Sequence, residues 1–484
     1  MASTLARNDL ARMFLFEAGV LRAAPTYKYY PCAGVDALSQ DFGEVTRIEC
    51  PDPYRYGAFI EVDSVPGEIS RLTTTLTTRM NRNELSYFRK LATQGCSFDL
   101  HLHFGLCARP TDFNSYDKVM IFEDVAVSSY GTDPLSVLSS GDRAEINETI
   151  DISAGKYYEV VPLSYSETDT VNTALASAII DAVYADVQSC GIGCNNTSTG
   201  CEVMFAIDGD GDLIMSENGG VTWALSDDAW GTATIGLGYL AGYVWTYNTA
   251  TSAIISATKE DALAETAPAS TAASVGAEVP ADLANGVGYG LVVGSNGFVG
   301  VVRSPASGFE DTYTGSFTSE DYTVVNFNPY EDIALVGGTN NALLFTANGE
   351  DFVSVTGPSA QSAVTVTAVL PISEKKWLVG YGDGDVYATD NSGGTWTLLA
   401  VPGGSNAVKD LAMSTTHVLW MLKNNVLYQS IDGGASWLKQ PNSKKAFPTS
   451  SALNDVLVCP YDVNRVNIFG ADSTAGFHAL GTPA

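Results

Sequence analysis

The sequence predicts a mainly β protein: an N-terminal β-sandwich carrying one helix, followed by a seven-bladed β-propeller, with six blades as the alternative. Three observations predict it. First, Ser216-Glu217-Asn218-Gly219-Gly220-Val221-Thr222-Trp223 recurs nearly unchanged as 389 to 396 (Thr389, Asn391, Gly393, Trp396) and as 430 to 437 (Ser430, Asp432, Gly434, Trp437). Second, weaker copies open at Ser256, Ser304 and Thr346, so that successive openings lie 40, 48, 42, 43 and 41 residues apart. Repeats of about 40–45 residues with several short strands each are what propeller blades require. Third, Gly209-Asp210-Gly211-Asp212 and Gly382-Asp383-Gly384-Asp385 lie 173 residues apart, the same interval as Ser216 and Thr389.

The recurring segment is first of all a turn. An Asp or Asn side chain accepts backbone N–H groups two residues on and fixes the bend. Gly takes the positive φ that other residues resist, and the Trp opens the returning strand and buries its ring. The motif resembles the Asp-box of sialidases and of other Asp-box propellers, such as photosystem-assembly factors and sorting receptors. That resemblance covers about residues 202 to 480 and implies a fold rather than a chemistry.

Along the chain, residues 1–24 read as an N-terminal arm or short helix. Arg7, Asp9, Arg12 and Glu17 break the apolar run that a secretory signal needs. Residues 25–165 read as the sandwich. Phe98-Asp99-Leu100-His101-Leu102-His103-Phe104 alternates strictly, as a half-buried strand does, with His101 and His103 on a solvated face. Leu85, Phe88, Leu91 and Ala92 fall at helical spacing behind a capping Asn83. Leu72 to Arg79, rich in Thr, suits an exposed strand or hairpin and a contact between subunits. With 96 to 105 and 142 to 153, this order of strands, one helix and further strands resembles bacteriophage tail-tube proteins. The resemblance implies hexameric rings that stack into a tube through which DNA passes.

Residues 166–201 read as a linker. Val171, Leu175, Ala178, Ile179, Ala182, Val183 and Val187 give an amphipathic helix over Thr168 to Ser189. A Gly- and Asn-rich hinge with Cys190, Cys194 and Cys201 follows; free thiols, one hinge disulfide and a metal site are all open readings there. Residues 202–484 are the propeller. Its strand groups fall at 202–228, 229–268, 284–315, 320–357, 363–402, 406–441 and 451–481, with a surface loop over 259 to 283. The first and last groups each look one strand short.

Composition bounds the function. The chain has 484 residues, 45% hydrophobic and 17% charged, with a net charge of −30. Residues 1 to 165 hold 15 Lys/Arg against 22 Asp/Glu, which leaves 10 against 33 for the remainder. Such a surface disfavours anionic membranes and outward-facing nucleic-acid binding, while an acidic lumen would let DNA slide past. No apolar run is long enough for a membrane helix.

Enzymatic readings fare poorly. A sialidase holds its substrate carboxylate with three arginines, and residues 202 to 484 contain only Arg303 and Arg465. Other glycosidases need two facing carboxylates, which acidic residues here could supply. Asp208, Asp210 and Asp212 suggest weak Ca²⁺ binding, although Leu213 and Gly219 occupy positions where a calcium loop wants Gly and Glu. The expectation is therefore a non-enzymatic virion structural protein with no cofactor. It would be synthesised in the host cytoplasm and act in a phage tail among other virion proteins, its propeller meeting a host surface or glycan. The alternatives are a propeller-based protein- or glycan-binding assembly factor or adhesin, and an unrecognised glycoside hydrolase.

Overall fold

In the computed structural model of the chain, the residues described are 12–17, 27–30, 37–41, 47–51, 59–64, 72–79, 91–93, 95, 97–104, 116–132, 147–167, 177–185, 202–227, 230–440, 451–460, 462–472 and 475–483. They fall into two units, Met1–Val20 with Thr26–Pro162, and Leu21–Pro25 with Leu163–Ala484.

The N-terminal unit is organised by Phe98–Phe104. Its seven residues are all buried, His101 and His103 included. The expected half-buried strand is thus a central one, because Arg12–Glu17 pairs along one edge and Lys118–Thr132 along the other. Both faces are covered and the two histidines stack, with ring centroids 6.0 Å apart. Arg12–Glu17 is itself a strand, where an arm or short helix is expected from the sequence. Its Met-Phe-Leu-Phe run suits a pleated surface better than a helix.

The full sheet is antiparallel and eight-stranded, in the order Tyr27–Tyr30, Arg12–Glu17, Phe98–Phe104, Lys118–Thr132, Asn147–Ala154, Leu72–Arg79, Ala37–Asp41, with Lys156–Val160 also beside Lys118–Thr132. Arg47–Pro51 and Phe59–Ser64 form a separate hairpin. The 15-residue strand changes partner midway. Its first half pairs with Lys156–Val160 and its second with Asn147–Ala154. The change falls at Asp124, whose φ is +51° and whose N–H donates to the buried Asp99 Oδ1 at 2.9 Å. A bulge of this kind lets one strand serve two directions of pairing.

The Thr-rich Leu72–Arg79 differs from expectation too. It lies between Ala37–Asp41 and Asn147–Ala154, so both of its backbone edges are occupied and it offers no edge to another subunit. Of the helix expected over 83 to 93, residues 91–93 are helical and the rest lies outside the described residues.

The C-terminal unit holds seven four-stranded antiparallel sheets. Their first strands are Ile179–Tyr184, Gly238–Leu240, Pro280–Asn285, Tyr322–Phe327, Val366–Pro371, Val408–Met413 and Ser451–Val458. The two groups that looked short are completed from upstream. Ile179–Tyr184 becomes the first strand of the first sheet, and Leu163–Glu167 the last strand of the seventh, paired with Ala475–Pro483.

The linker helix expected over 168 to 189 is therefore replaced, over Ile179–Tyr184, by a strand. Ile179, Ile180 and Val183 satisfy both periodicities, and pairing with Met204–Asp208 decides between them. The main segment of the C-terminal unit begins at Leu163. The loop expected over 259 to 283 holds a short helix, Lys259–Leu263, and strands Ala269–Ala272 and Pro280–Asn285. Apolar clusters then join neighbouring sheets, as with Ile179, Ala182, Met204 and Trp223 of the first against Phe469 of the seventh. Among the described residues, no helix is long and apolar enough to cross a membrane.

Candidate binding cavity

The repeated turns come first, because they fix the sheets that make the cavity. In the turn at 216, Ser216 Oγ accepts the Gly220 N–H at 2.8 Å and Asn218 Oδ1 accepts the Thr222 N–H at 2.8 Å. The turn at 389 repeats this, Gly393 N–H to Thr389 Oγ1 at 3.0 Å and Thr395 N–H to Asn391 Oδ1 at 2.8 Å. So does that at 430, with Gly434 and Ser436 donating to Ser430 and Asp432 at 2.8 Å each. Burial raises the Asp432 carboxyl above the usual range, against the bonds from Ser436 and Ser430 that favour its charged form. Thr346 makes a related turn, accepting from Gly349 N at 2.9 Å. Ser256 and Ser304 do not: Ser256 stays inside Ala253–Thr258, and Ser304 leads into the 3-10 turn Pro305–Ser307.

Each Trp reaches a neighbouring sheet. Trp396 Nε1 donates to Thr356 O at 2.9 Å, and Trp223 Nε1 to His478 Nδ1 at 3.2 Å, while Trp437 packs in the cluster holding Leu378 and Leu399. Both propeller arginines serve these turns as well. Arg465 donates to Asn218 O and Gly219 O at 2.8 Å, and Arg303 pairs with Glu310 at 2.7 Å and Glu350 at 2.9 Å. In the Asp208 segment, Asp208 Oδ1 accepts the N–H of Asp210 at 3.0 Å and of Asp212 at 2.9 Å. Among the described residues no group of three His, Cys, Asp or Glu could hold a metal ion. Cys190, Cys194 and Cys201 lie outside the described residues. Cys459 is fully buried and disulfide-bonded, to a cysteine whose side chain is not among those described.

The first strands of all seven sheets line one cavity of about 580 Å³, which extends to the connections at Ala241, Val287, Pro329 and Pro460. Its wall follows from a repeated irregularity. Six of the seven first strands skip a residue in register with the second strand, at 180, 281, 323, 367, 409 and 454. A bulge leaves that residue's groups unpaired by the ladder, and here its side chain turns to the next sheet. Thr323 Oγ1 donates to Val366 O at 2.8 Å, Thr367 Oγ1 to Val408 O at 2.6 Å, and Lys409 Nζ to Leu453 O at 2.7 Å. Asn454 Nδ2 donates to Ile179 O at 3.0 Å and closes the ring.

The residue after the skipped one is Asp181, Asp282, Asp410 or Asp455 in four sheets. Asp181 Oδ2 accepts the Leu237 N–H at 2.7 Å, Asp282 Oδ2 that of Val325 at 2.8 Å, and Asp410 Oδ2 that of Val456 at 2.9 Å. Asn326 joins the set through Val369 O and Leu411 O at 3.0 and 2.9 Å.

Desolvation dominates the electrostatics here. It pushes Asp181 up to about 7, against two backbone N–H bonds and with the Asp410 charge adding to it. Asp282 and Asp455 rise well above the usual carboxylate range for the same first reason, and each also feels the charges of Asp181 and Asp410. Asp410 rises by burial, its carboxyl in hydrogen-bond contact with Asp455. Solvent reaches all four through the cavity, where each is half-buried. Lys409 is lowered by the same desolvation.

Of the residues singled out in the sequence, the turn residues come together with their intended partners, whereas none of the cavity carboxyls was foreseen. Their signal was present: Asp at equivalent points of four repeats, 181, 282, 410 and 455.

No family model matches the chain, and no curated protein matches it in sequence. Solved structures do resemble it in fold. YCF48 from Cyanidioschyzon merolae superposes with a TM-score of 0.50 at 14% identity, over 66% of this chain and 99% of that one. A YCF48 bound to a D1 peptide gives 0.50 at 13%, over 67% and 98%. The WD40 repeats of RRP9 give 0.49 at 9%, over 66% and 97%. The two YCF48 likenesses, with the repeated four-stranded sheets, mark the C-terminal unit as a β-propeller, joined to an N-terminal unit of different sheet architecture.

Proposed function

We propose that the protein is a non-enzymatic interaction scaffold. Its seven sheets are the blades of a propeller, and it binds a protein partner on the face where the cavity opens. The observation that supports this most is how the cavity's polar groups are used. A carboxyl titrating near 7 has the range for proton transfer. Both oxygens of Asp181, however, are oriented by backbone donors, Ala182 N at 2.8 Å and Leu237 N at 2.7 Å, and Asp282 and Asp410 are engaged likewise. Such a wall offers shape, charge and a rigid rim rather than a facing acid–base pair, which argues against the glycoside hydrolase. A solved structure of similar fold with a peptide bound, YCF48 with a D1 peptide, gives the reading a parallel. The test is crosslinking mass spectrometry on the protein in its native source. Crosslinks from Lys375, on the connection at 372–376 of that face, to one recurrent partner are expected. Crosslinks confined to the N-terminal unit would overturn the reading.

A second reading, a phage tail-tube protein in hexameric rings with an exterior propeller, draws on one observation. The N-terminal sheet ends on Tyr27–Tyr30 and Ala37–Asp41, each with one strand neighbour among the described residues, and such edges can pair with another copy. The structural neighbours speak only to the propeller. Negative-stain microscopy decides: six-fold rings or tubes support this reading, and a monomer of 51.1 kDa at high concentration removes it.

A further inference from the structure

We propose that the cavity receives a basic side chain, lysine or arginine, presented on an extended segment of the protein partner. This rests on the scaffold reading and specifies its chemistry. Four carboxyls face one cavity, and among the described residues none of the four is in an ion pair. The cation on the same wall, Lys409, is turned to Leu453 O and to Asn425 Oδ1 at 3.3 Å. Asp455 Oδ2 is shielded from solvent and receives no N–H donor, while the Asp455 carboxyl meets that of Asp410. Two carboxyls so placed cannot both ionise without cost, and either a proton or a cationic donor removes that cost.

Size and rim favour a side chain over a bare ion. About 580 Å³ is room for a long side chain and its water. The mouth carries Val287, 73% exposed, and Pro329, apolar surface on which an aliphatic stem packs while its charged head goes inward. The propeller's excess of acidic residues would steer a basic segment towards it.

The probe is a fluorescein-labelled Gly-Ser-Arg-Ser-Gly peptide, compared by anisotropy with its citrulline isostere, which keeps the shape and loses the charge. The full chain is used. Binding of the arginine peptide at least about tenfold tighter than the citrulline peptide is expected. Asp410→Asn with Asp455→Asn should abolish that difference. Glu217→Gln with Glu374→Gln, exposed changes of equal charge, should leave it intact. A melting curve on each variant shows that it is folded. Equal binding of the two peptides, or a preference that survives the Asp410/Asp455 change, overturns the inference. If a partner still crosslinks through Lys375 while being indifferent to that double change, the scaffold reading stands and this one falls. If no partner crosslinks there and neither peptide binds, both fall.

Discussion

Trp223 and His478 are hydrogen-bonded across the junction of the first and seventh sheets, the indole N–H donating to Nδ1 at 3.2 Å. The other ring nitrogen, Nε2, lies 2.9 Å from Asn467 Oδ1, and Asn467 Nδ2 donates to Tyr184 OH at 2.8 Å. With Nδ1 accepting, the proton sits on Nε2 and the ring is neutral. Burial depresses its pKa to about 3.

Trp223→Phe keeps the ring and removes the donor, leaving a buried acceptor without its partner. A loss of about 1–3 kcal/mol is expected, read as a lower urea midpoint with an unchanged slope. An unchanged midpoint would show that this bond does not hold the junction.

The same histidine makes a pH prediction. Its folded pKa is depressed, so its contribution is complete above the unfolded value of 6.5 and is lost as pH falls towards 3. His478→Gln should therefore reduce the acid-side decline in melting temperature over that window. A decline identical to the parent's would rule out His478 as its source.

The cavity carboxyls act with the opposite sign. Their folded pKa values are raised, so their contribution is complete below the unfolded value of 3.8 and is lost as pH rises, through about 7 for Asp181. Asp455→Asn should flatten the parent's loss of melting temperature as pH rises above 4, because it removes one raised carboxyl. A variant whose decline with rising pH matches the parent's would show that Asp455 contributes nothing to it.

Two turn glycines should respond unequally. Gly220 and Gly434 have φ of +92° and +95°, where any side chain is strained. A Cβ on Gly434 would meet Leu378 Cδ1 at 3.4 Å, whereas one on Gly220 would meet Asn467 Oδ1 at 2.3 Å. Gly434→Ala should cost about 1–2 kcal/mol, the left-handed penalty alone, and Gly220→Ala clearly more. Equal losses would show that the Asn467 contact relaxes.

The two arginines should separate as well. Arg465 holds two backbone carbonyls of a turn in another sheet, and Arg465→Ala should cost about 1–3 kcal/mol. Arg303, 35% exposed and paired with exposed glutamates, should cost less than about 1 kcal/mol. Chemical denaturation of both variants reads the difference.

What was legible in the sequence was local. The turns at 216, 389 and 430 could be read because Ser/Thr, Asp/Asn and Gly act on backbone atoms within four residues of themselves. The strand Ile179–Tyr184 could not, since its apolar residues fit a helix as well and only pairing with Met204–Asp208 settles the matter. Alternation puts His101 and His103 in solvent because it does not say whether a strand's second face is covered. The cavity carboxyls escaped notice for a related reason. Asp181 and Asp410 are more than two hundred residues apart, and only closure of the ring makes them neighbours.

That closure joins distant parts of the chain in time as well as in space. Leu163 pairs with Pro483, 320 residues later. On the ribosome, the outermost strand of the seventh sheet emerges long before the strand it must pair with. It waits as an unpaired edge while six sheets form behind it, and the entropy of so long a loop is met only when the last strand arrives. Shortening the chain by the nine residues of Ala475–Pro483 would therefore remove a whole junction from the ring rather than fray one end, and would leave Leu163–Glu167 exposed to pairing with another molecule.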